Sequence, residues 1–147
     1  VALHAVAVEA VAHGAPRLLD RLRGERERER DVIEIKAFIP AKDFALSQRF
    51  YQDLGFTLSY ADAEVAYLHH GESAFLLQNF HVEELAKNFM MHLLVKDVDA
   101  WHRHVSEAGI AQRYGVVVGE VELQPWRMRD FVLFDPAGVL WRIAQNV

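Results

Sequence analysis

The alternation of apolar and polar residues in the first half of the chain predicts short strands around a single helix. Residues 32–39 are rich in β-branched side chains and predict the first strand. Asp43 is predicted to cap a helix that ends before Gly55, and a polar connection covers residues 79–88. Between the helix and this connection, three further strands are predicted, at residues 56–60, 64–70 and 73–78.

The second half of the chain repeats this order of elements. A strand at residues 89–95 precedes a helix that Asp97 is predicted to cap and Gly109 to end, and the Lys-Asp pair before each helix recurs after 54 positions. Three more strands are predicted at residues 112–118, 129–135 and 139–144. Two βαβββ modules explain this repeat most simply, so the predicted fold class is α+β.

Residues 1–31 follow a different pattern. They begin rich in alanine and valine, and residues 25–30 alternate between glutamate and arginine. Such a run forms a solvated helix through charge pairs, and it is equally typical of a disordered arm. The predicted division is an N-terminal extension at residues 1–31, a first module at 32–79, a linker at 80–88 and a second module at 89–147.

Composition and charge exclude several classes of function. Cysteine is absent, so thiolate ligands and cysteine nucleophiles are excluded. The net charge of −5 falls on residues 32–147, because residues 1–31 carry equal numbers of basic and acidic side chains. This charge favours a cationic ligand, and we expect neither nucleic acid nor membrane as a partner. Because His4, Glu9 and His13 interrupt the apolar start, we expect no signal peptide and a cytoplasmic protein.

Two stretches of the sequence resemble a known family. They are Asp43…Arg49-Phe50-Tyr51…Leu54-Gly55-Phe56 and Gln124-Pro125-Trp126-Arg127-Met128-Arg129-Asp130-Phe131…Asp135-Pro136-Ala137-Gly138. Over about residues 33–146 the chain resembles the vicinal oxygen chelate superfamily, which includes glyoxalase I, fosfomycin resistance proteins, extradiol dioxygenases and bleomycin resistance proteins. The second stretch is most similar to the bleomycin resistance branch. The resemblance implies two βαβββ modules that pair into a curved mixed sheet around a central cavity, with helices outside.

The resemblance also implies where a metal ion would be held. Most enzymes of this superfamily place His, Glu or Gln ligands on the cavity face of the first and last strand of each module. Here those four positions fall on Lys36, Leu76, Met90 and Arg142. None of these side chains suits a hard divalent ion, so we expect no metal and no cofactor, and an enzymatic function is disfavoured. A two-residue slip would bring His92 to one position, but a single histidine does not make a site.

Strand alternation, together with the resemblance, predicts which side chains face the cavity. Two of them, Phe38 and Met90, are explained equally well as part of a plain core between the modules. The two cationic members need an acidic partner, such as Glu34 or Glu122, or an anionic ligand. The predicted ligand-binding residues are Lys36, Phe38, Met90, His92, Trp126 and Arg142.

The resemblance implies a function for this cavity. In bleomycin resistance proteins, an acidic and aromatic cleft between two subunits sequesters a cationic glycopeptide drug without altering it. We therefore hypothesise a dimeric, metal-independent antibiotic-resistance protein that binds a bleomycin-like molecule by stacking on Trp126 and Phe38. The alternatives are a metal-dependent lyase, isomerase or dioxygenase, an anion site at Lys36 and Arg142, and a role for Trp126 as a dimer anchor. Acidic side chains for the cleft are available at Asp62, Glu64, Glu120 and Glu122.

Overall fold

The computed structural model describes residues 15–147, with side chains from residue 18 onward, and the chain divides into two compact units after Ile35. The first unit contains helix α1 (Ala15–Glu29). Arg23 pairs with Glu27 one turn further along this helix, with 3.0 Å between Nε and Oε1. Residues 15–29 therefore take the helical alternative, while the start of the predicted extension lies outside the described residues.

The first module is built around a four-stranded mixed sheet in the order β1-β4-β3-β2, in which only β1 and β4 run parallel. The Asp43 side chain accepts a hydrogen bond from the Leu46 N–H at 3.1 Å, which confirms the predicted helix cap. Gly55 ends the helix with a φ of 127°. The elements are β1 (Phe38–Pro40), α2 (Phe44–Leu54), β2 (Thr57–Ala61), β3 (Val65–His70) and β4 (Ser73–Gln78).

The second module repeats this arrangement in a sheet of order β5-β8-β7-β6, again with one parallel pair, β5 and β8. Asp97 caps its long helix and accepts a hydrogen bond from the Ala100 N–H at 3.0 Å, as predicted. The α+β class with two βαβββ modules is thus confirmed. The elements are α3 (Glu83–Asn88), β5 (Met90–Leu94), α4 (Val98–Glu107), α5 (Ile110–Tyr114), β6 (Glu122–Leu123), β7 (Met128–Phe134) and β8 (Leu140–Asn146).

Three predicted segments differ from the structure. The first strand starts at Phe38 rather than at residue 32, because ladder bonding to β4 begins only there and β propensity alone does not make a strand. Residues 112–118 are helix α5 and a loop, with a single bridge from Val118 to Leu133 in place of the predicted strand. The polar connection contains α3, whose Ala86 is buried.

A single hydrophobic core joins the two modules. Aromatic side chains dominate it, and the Phe75 and Trp141 rings, one from each module, lie 5.4 Å apart between centroids. Inside this core the Tyr51 hydroxyl donates to Asp135 and accepts from the Trp141 indole N–H. The helix-facing side of each sheet is therefore buried, and we call the opposite side of each sheet its open face. No helix within residues 15–147 has the length and apolarity needed to cross a membrane.

Candidate functional site

The open face of the second sheet carries four of the six predicted ligand-binding residues. In the parallel pairing of β5 with β8, Met90 is opposite Leu140 and His92 is opposite Arg142. Side chains that are directly opposite share one face of a sheet, so Met90, His92 and Arg142 share a face, as strand alternation and the resemblance together predicted. Met90 is 56% exposed, so its end of this face is not packed within the described chain.

Arg142 is held by a buried carboxylate that the sequence analysis did not assign to the site. Its Nη1 donates to Asp130 Oδ2 at 2.9 Å, and Asp130 is only 2% exposed. The Gln124 amide donates to the other oxygen of this carboxylate, also at 2.9 Å. Asp130, rather than the predicted Glu122, is therefore the acid that pairs with Arg142 on this sheet.

Trp126 lies beside Arg142 at the tip of the β6–β7 hairpin. The guanidinium carbon of Arg142 is 5.8 Å from the centroid of the Trp126 ring, within the range of a cation–π contact. The turn is closed by a hydrogen bond from the Gln124 N–H to the Met128 carbonyl at 2.7 Å. Trp126 is still 55% exposed, so much of its indole surface remains available for contact.

Of the other two predicted residues, Phe38 lies on the first sheet, and Lys36 precedes strand β1 by two residues. Phe38 is 51% exposed and is paired with Leu76, which is itself opposite Tyr67 on β3. The Lys36 ammonium lies 5.5 Å from the centroid of the Tyr67 ring. The structure therefore divides the six residues into two sets. Four of them lie at the second sheet and are called the Trp126 group: Met90, His92, Trp126 and Arg142. Lys36 and Phe38 lie at the first sheet, and within the described residues no strand pairing joins the two sheets.

The acidic residues proposed for the cleft lie on different parts of the fold. Asp62 accepts hydrogen bonds from the backbone N–H groups of Val65 and Glu64 and from the Tyr60 hydroxyl, and these hydrogen bonds, led by that of Val65, lower the pKa of its carboxyl group. Glu120 Oε2 lies 3.8 Å from Nε2 of His102, a residue of α4. Glu122 is paired with Asp130 and thus belongs to the open face of the second sheet.

The four metal-ligand positions of the superfamily carry an unsuitable set of donors. Leu76 offers no donor, Met90 offers a thioether, and the Arg142 guanidinium already donates to Asp130. Within residues 18–147 no group of three His, Asp or Glu side chains is arranged to hold a metal ion. These residues do not fit the divalent ion that enzymes of the superfamily hold at these positions.

Sequence reasoning missed three residues of this surface: Gln124, Asp130 and Tyr67. A signal for Asp130 existed, because the Asp135–Gly138 turn defines the β7–β8 hairpin and counting outward from it places Asp130 within a diagonal step of Arg142. Gln124 and Tyr67 had no comparable signal, since their contacts depend on how the loop and the first sheet fold.

Comparison with known proteins identifies the family of this fold and surface. Residues 33–143 match the Glyoxalase/Bleomycin resistance protein/Dioxygenase superfamily, and the chain belongs to this superfamily. It is 30% identical over 113 residues to a bleomycin resistance protein of Klebsiella pneumoniae, which covers 74% of this chain and 88% of that protein.

Two solved structures resemble the chain along most of its length. A bleomycin-binding protein in complex with bleomycin shares 28% identity and a TM-score of 0.68, covering 79% of this chain and all of that one, 100%. A bleomycin resistance determinant encoded on transposon Tn5 shares 25% identity and a TM-score of 0.67, covering 78% of this chain and 98% of that one.

Proposed function

We propose that this protein binds a bleomycin-like, cationic aromatic drug and confers resistance by sequestering it unaltered, as a homodimer in the cytoplasm. The proposal is supported by the similarity to a bleomycin resistance protein and to a bleomycin-binding protein seen with its drug. The particular observation that carries it is the exposed Trp126 ring, held beside Arg142 on an otherwise open sheet face.

The chemistry of this surface suits a flat ligand better than a reacting substrate. Trp126 provides an indole face for stacking, and Met90, on the open face of the same sheet, provides a polarisable apolar surface. Because the Arg142 charge is balanced by Asp130, the guanidinium does not act as a free cation that would repel a positively charged drug. Glu122, exposed on the adjacent strand, adds a negative charge to the same face.

A second copy of the chain would supply the missing wall of the cleft. Both open faces expose large apolar side chains, including Phe38 and Tyr60 on the first sheet and Met90 and Leu94 on the second. Exposed apolar surface of this extent is typical of an interaction site. In the proposed dimer, Phe38 and Lys36 of one protomer would face the Trp126 group of its partner, which brings all six predicted residues to one cleft.

Calorimetric titration of the purified protein with metal-free bleomycin tests this function. We expect saturable binding near one drug per chain in a sample whose metal content is below stoichiometric, and a dimer by analytical ultracentrifugation. A protein that carries stoichiometric metal and gives no heat with the drug would instead favour the lyase, isomerase or dioxygenase alternative. Absence of heat in a metal-free, folded dimer would reject bleomycin as the ligand.

A further inference from the structure

A second cleft lies where the two modules meet, and no member of the Trp126 group lines it. It consists of two adjoining cavities of about 270 Å³ and 390 Å³, and both are lined by His70, Ala100 and Trp101. His70 comes from the end of β3 in the first module, and Trp101 belongs to α4 in the second. The larger cavity falls within the size range of small-molecule binding sites.

The walls of this cleft are aromatic and closely spaced. The His70 and Trp101 rings have centroids 5.4 Å apart and are inclined at 53°. Gly55 lies under the six-membered edge of the indole, where a Cβ atom would come within 3.6 Å of Trp101 Cη2. Trp101 is thus supported on one side and remains half-buried, which leaves part of its ring for a ligand.

The polar groups at the cleft are mainly hydrogen-bond donors without protein partners. Within the described residues, the Trp101 indole N–H and the His70 imidazole make no hydrogen bond, and Lys96 makes no ion pair. His70 and Lys96 are exposed, so their polar groups face solvent at the mouth of the cleft. The carboxylate of Asp97 does have a protein partner, because it accepts a hydrogen bond from the Ala100 N–H and so caps α4. His104, at the other end of the cleft, is bound to the Asp53 carbonyl at 3.0 Å.

We propose that this cleft is a binding site for a small planar aromatic carboxylate, distinct from the proposed drug site. The ligand ring packs against Trp101 and His70, and its carboxylate accepts hydrogen bonds from the Lys96 ammonium and the indole N–H. A ring of this kind matches the apolar walls, and a negative charge matches the unpaired donors. The site requires neither a metal ion nor a second copy of the chain.

Fluorine NMR of protein labelled with 5-fluorotryptophan tests the site, using 2-naphthoate as the probe. The chain has three tryptophans, Trp101, Trp126 and Trp141, so each contributes one resonance. We expect saturable shifts of the Trp101 resonance, with the Trp126 and Trp141 resonances unchanged. Shifts of the Trp126 resonance alone would assign the probe to the open face, and unchanged spectra at millimolar probe would also overturn the proposal.

Substitutions then test the roles of the side chains. Lys96→Gln should weaken 2-naphthoate binding about threefold to fivefold and leave binding of the neutral 2-naphthamide unchanged, because only the first probe carries a charge. His70→Ala, at an exposed position that should not affect folding, should weaken both probes. Trp126→Phe is the matched control and should weaken neither. Equal loss of both probes in Lys96→Gln, or loss in the Trp126 variant, would contradict the assignment.

Discussion

Asp130 and Arg142 form an ion pair at 2.9 Å on the second sheet, and the same guanidinium lies over the Trp126 ring. The Asp130 side chain is almost fully buried, whereas the Arg142 side chain is 29% exposed. Gln124 completes the arrangement by donating to the second carboxylate oxygen. A buried acid, a stacked cation and an exposed indole are thereby fixed together, which reduces the conformational freedom that ligand binding would otherwise remove.

Replacing Arg142 should cost more stability than replacing Asp130. Arg142→Met leaves the buried carboxylate of Asp130 with only the Gln124 amide, and we expect a loss of about 2–4 kcal/mol in the free energy of unfolding. Asp130→Asn leaves a partly exposed arginine that water can solvate, so a smaller loss of about 1–2 kcal/mol is expected. Urea denaturation of both variants measures the difference. Equal losses would show that burial of Asp130 does not determine the cost.

Substitution of Trp126 should separate binding from folding. Trp126→Ala removes a half-exposed ring at a hairpin tip, so the free energy of unfolding should change by less than about 1 kcal/mol. Affinity for metal-free bleomycin should fall about tenfold or more, because a stacking surface is lost. Trp126→Phe is the control and should retain part of the affinity. A Trp126→Ala variant that binds the drug as tightly as the parent protein would remove this residue from the proposed site.

Arg127 adopts an unfavourable backbone conformation directly after Trp126. Its φ of 62° makes it the sole non-glycine residue with positive φ in residues 15–147. Because glycine adopts this conformation without steric cost, Arg127→Gly should raise the free energy of unfolding by up to about 1 kcal/mol. Arg127→Ala retains the strain and should be close to neutral. Urea denaturation of both variants tests this explanation. Equal stabilisation by alanine and glycine would contradict it.

Tyr51 should control the acidity of Asp135 in the core. Burial raises the pKa of the Asp135 carboxyl group, while the hydrogen bond from the Tyr51 hydroxyl lowers it. Tyr51→Phe should therefore raise this pKa further, and it should cost about 1–3 kcal/mol by leaving the Trp141 indole N–H without its acceptor. Carbon NMR of the aspartate carboxyl groups follows the titration. A pKa that falls in the variant would contradict this account.

The raised pKa of Asp135 sets the direction of the pH dependence of stability. Because the native pKa of Asp135 lies above that of the unfolded chain, the native state binds the proton more tightly. The stability contributed by this group is fully present below the unfolded pKa of about 4 and is lost as pH rises through the native pKa. In Tyr51→Phe this loss should be shifted to higher pH, which denaturation at a series of pH values would show.

Much of the fold could be predicted because local signals agreed with tertiary packing. Asp43 and Asp97 are true helix caps at equivalent positions of the two modules, and strand β4 has the predicted bounds. Residues 112–118 were mispredicted because Gly109 and Gly115, both with left-handed φ, enclose a five-residue helix that has no clear periodicity. Strand propensity at residues 32–37 also failed, since a strand needs a ladder partner.

The candidate site was less predictable than the fold. Alternation along β5 placed Met90 and His92 on one face, because that periodicity follows from strand geometry. The resemblance added Arg142 from β8, and its pairing with His92 confirms that these side chains share a face. The partner of Arg142 was missed, since it depends on the register between β7 and β8 and on the hairpin that delivers Gln124. Side-chain pairing across strands is set by tertiary structure that sequence periodicity does not encode.

Recovery of bound drug tests the central claim most directly. Metal-free bleomycin would be equilibrated with the protein by dialysis. The bound drug would then be released by denaturation of the protein, and its molecular mass would be measured by mass spectrometry. We expect retention near one drug per chain and recovery with unchanged mass, and the Trp126→Ala variant should retain much less. A folded protein that retains no drug would contradict the proposed binding, and drug recovered with an altered mass would contradict sequestration.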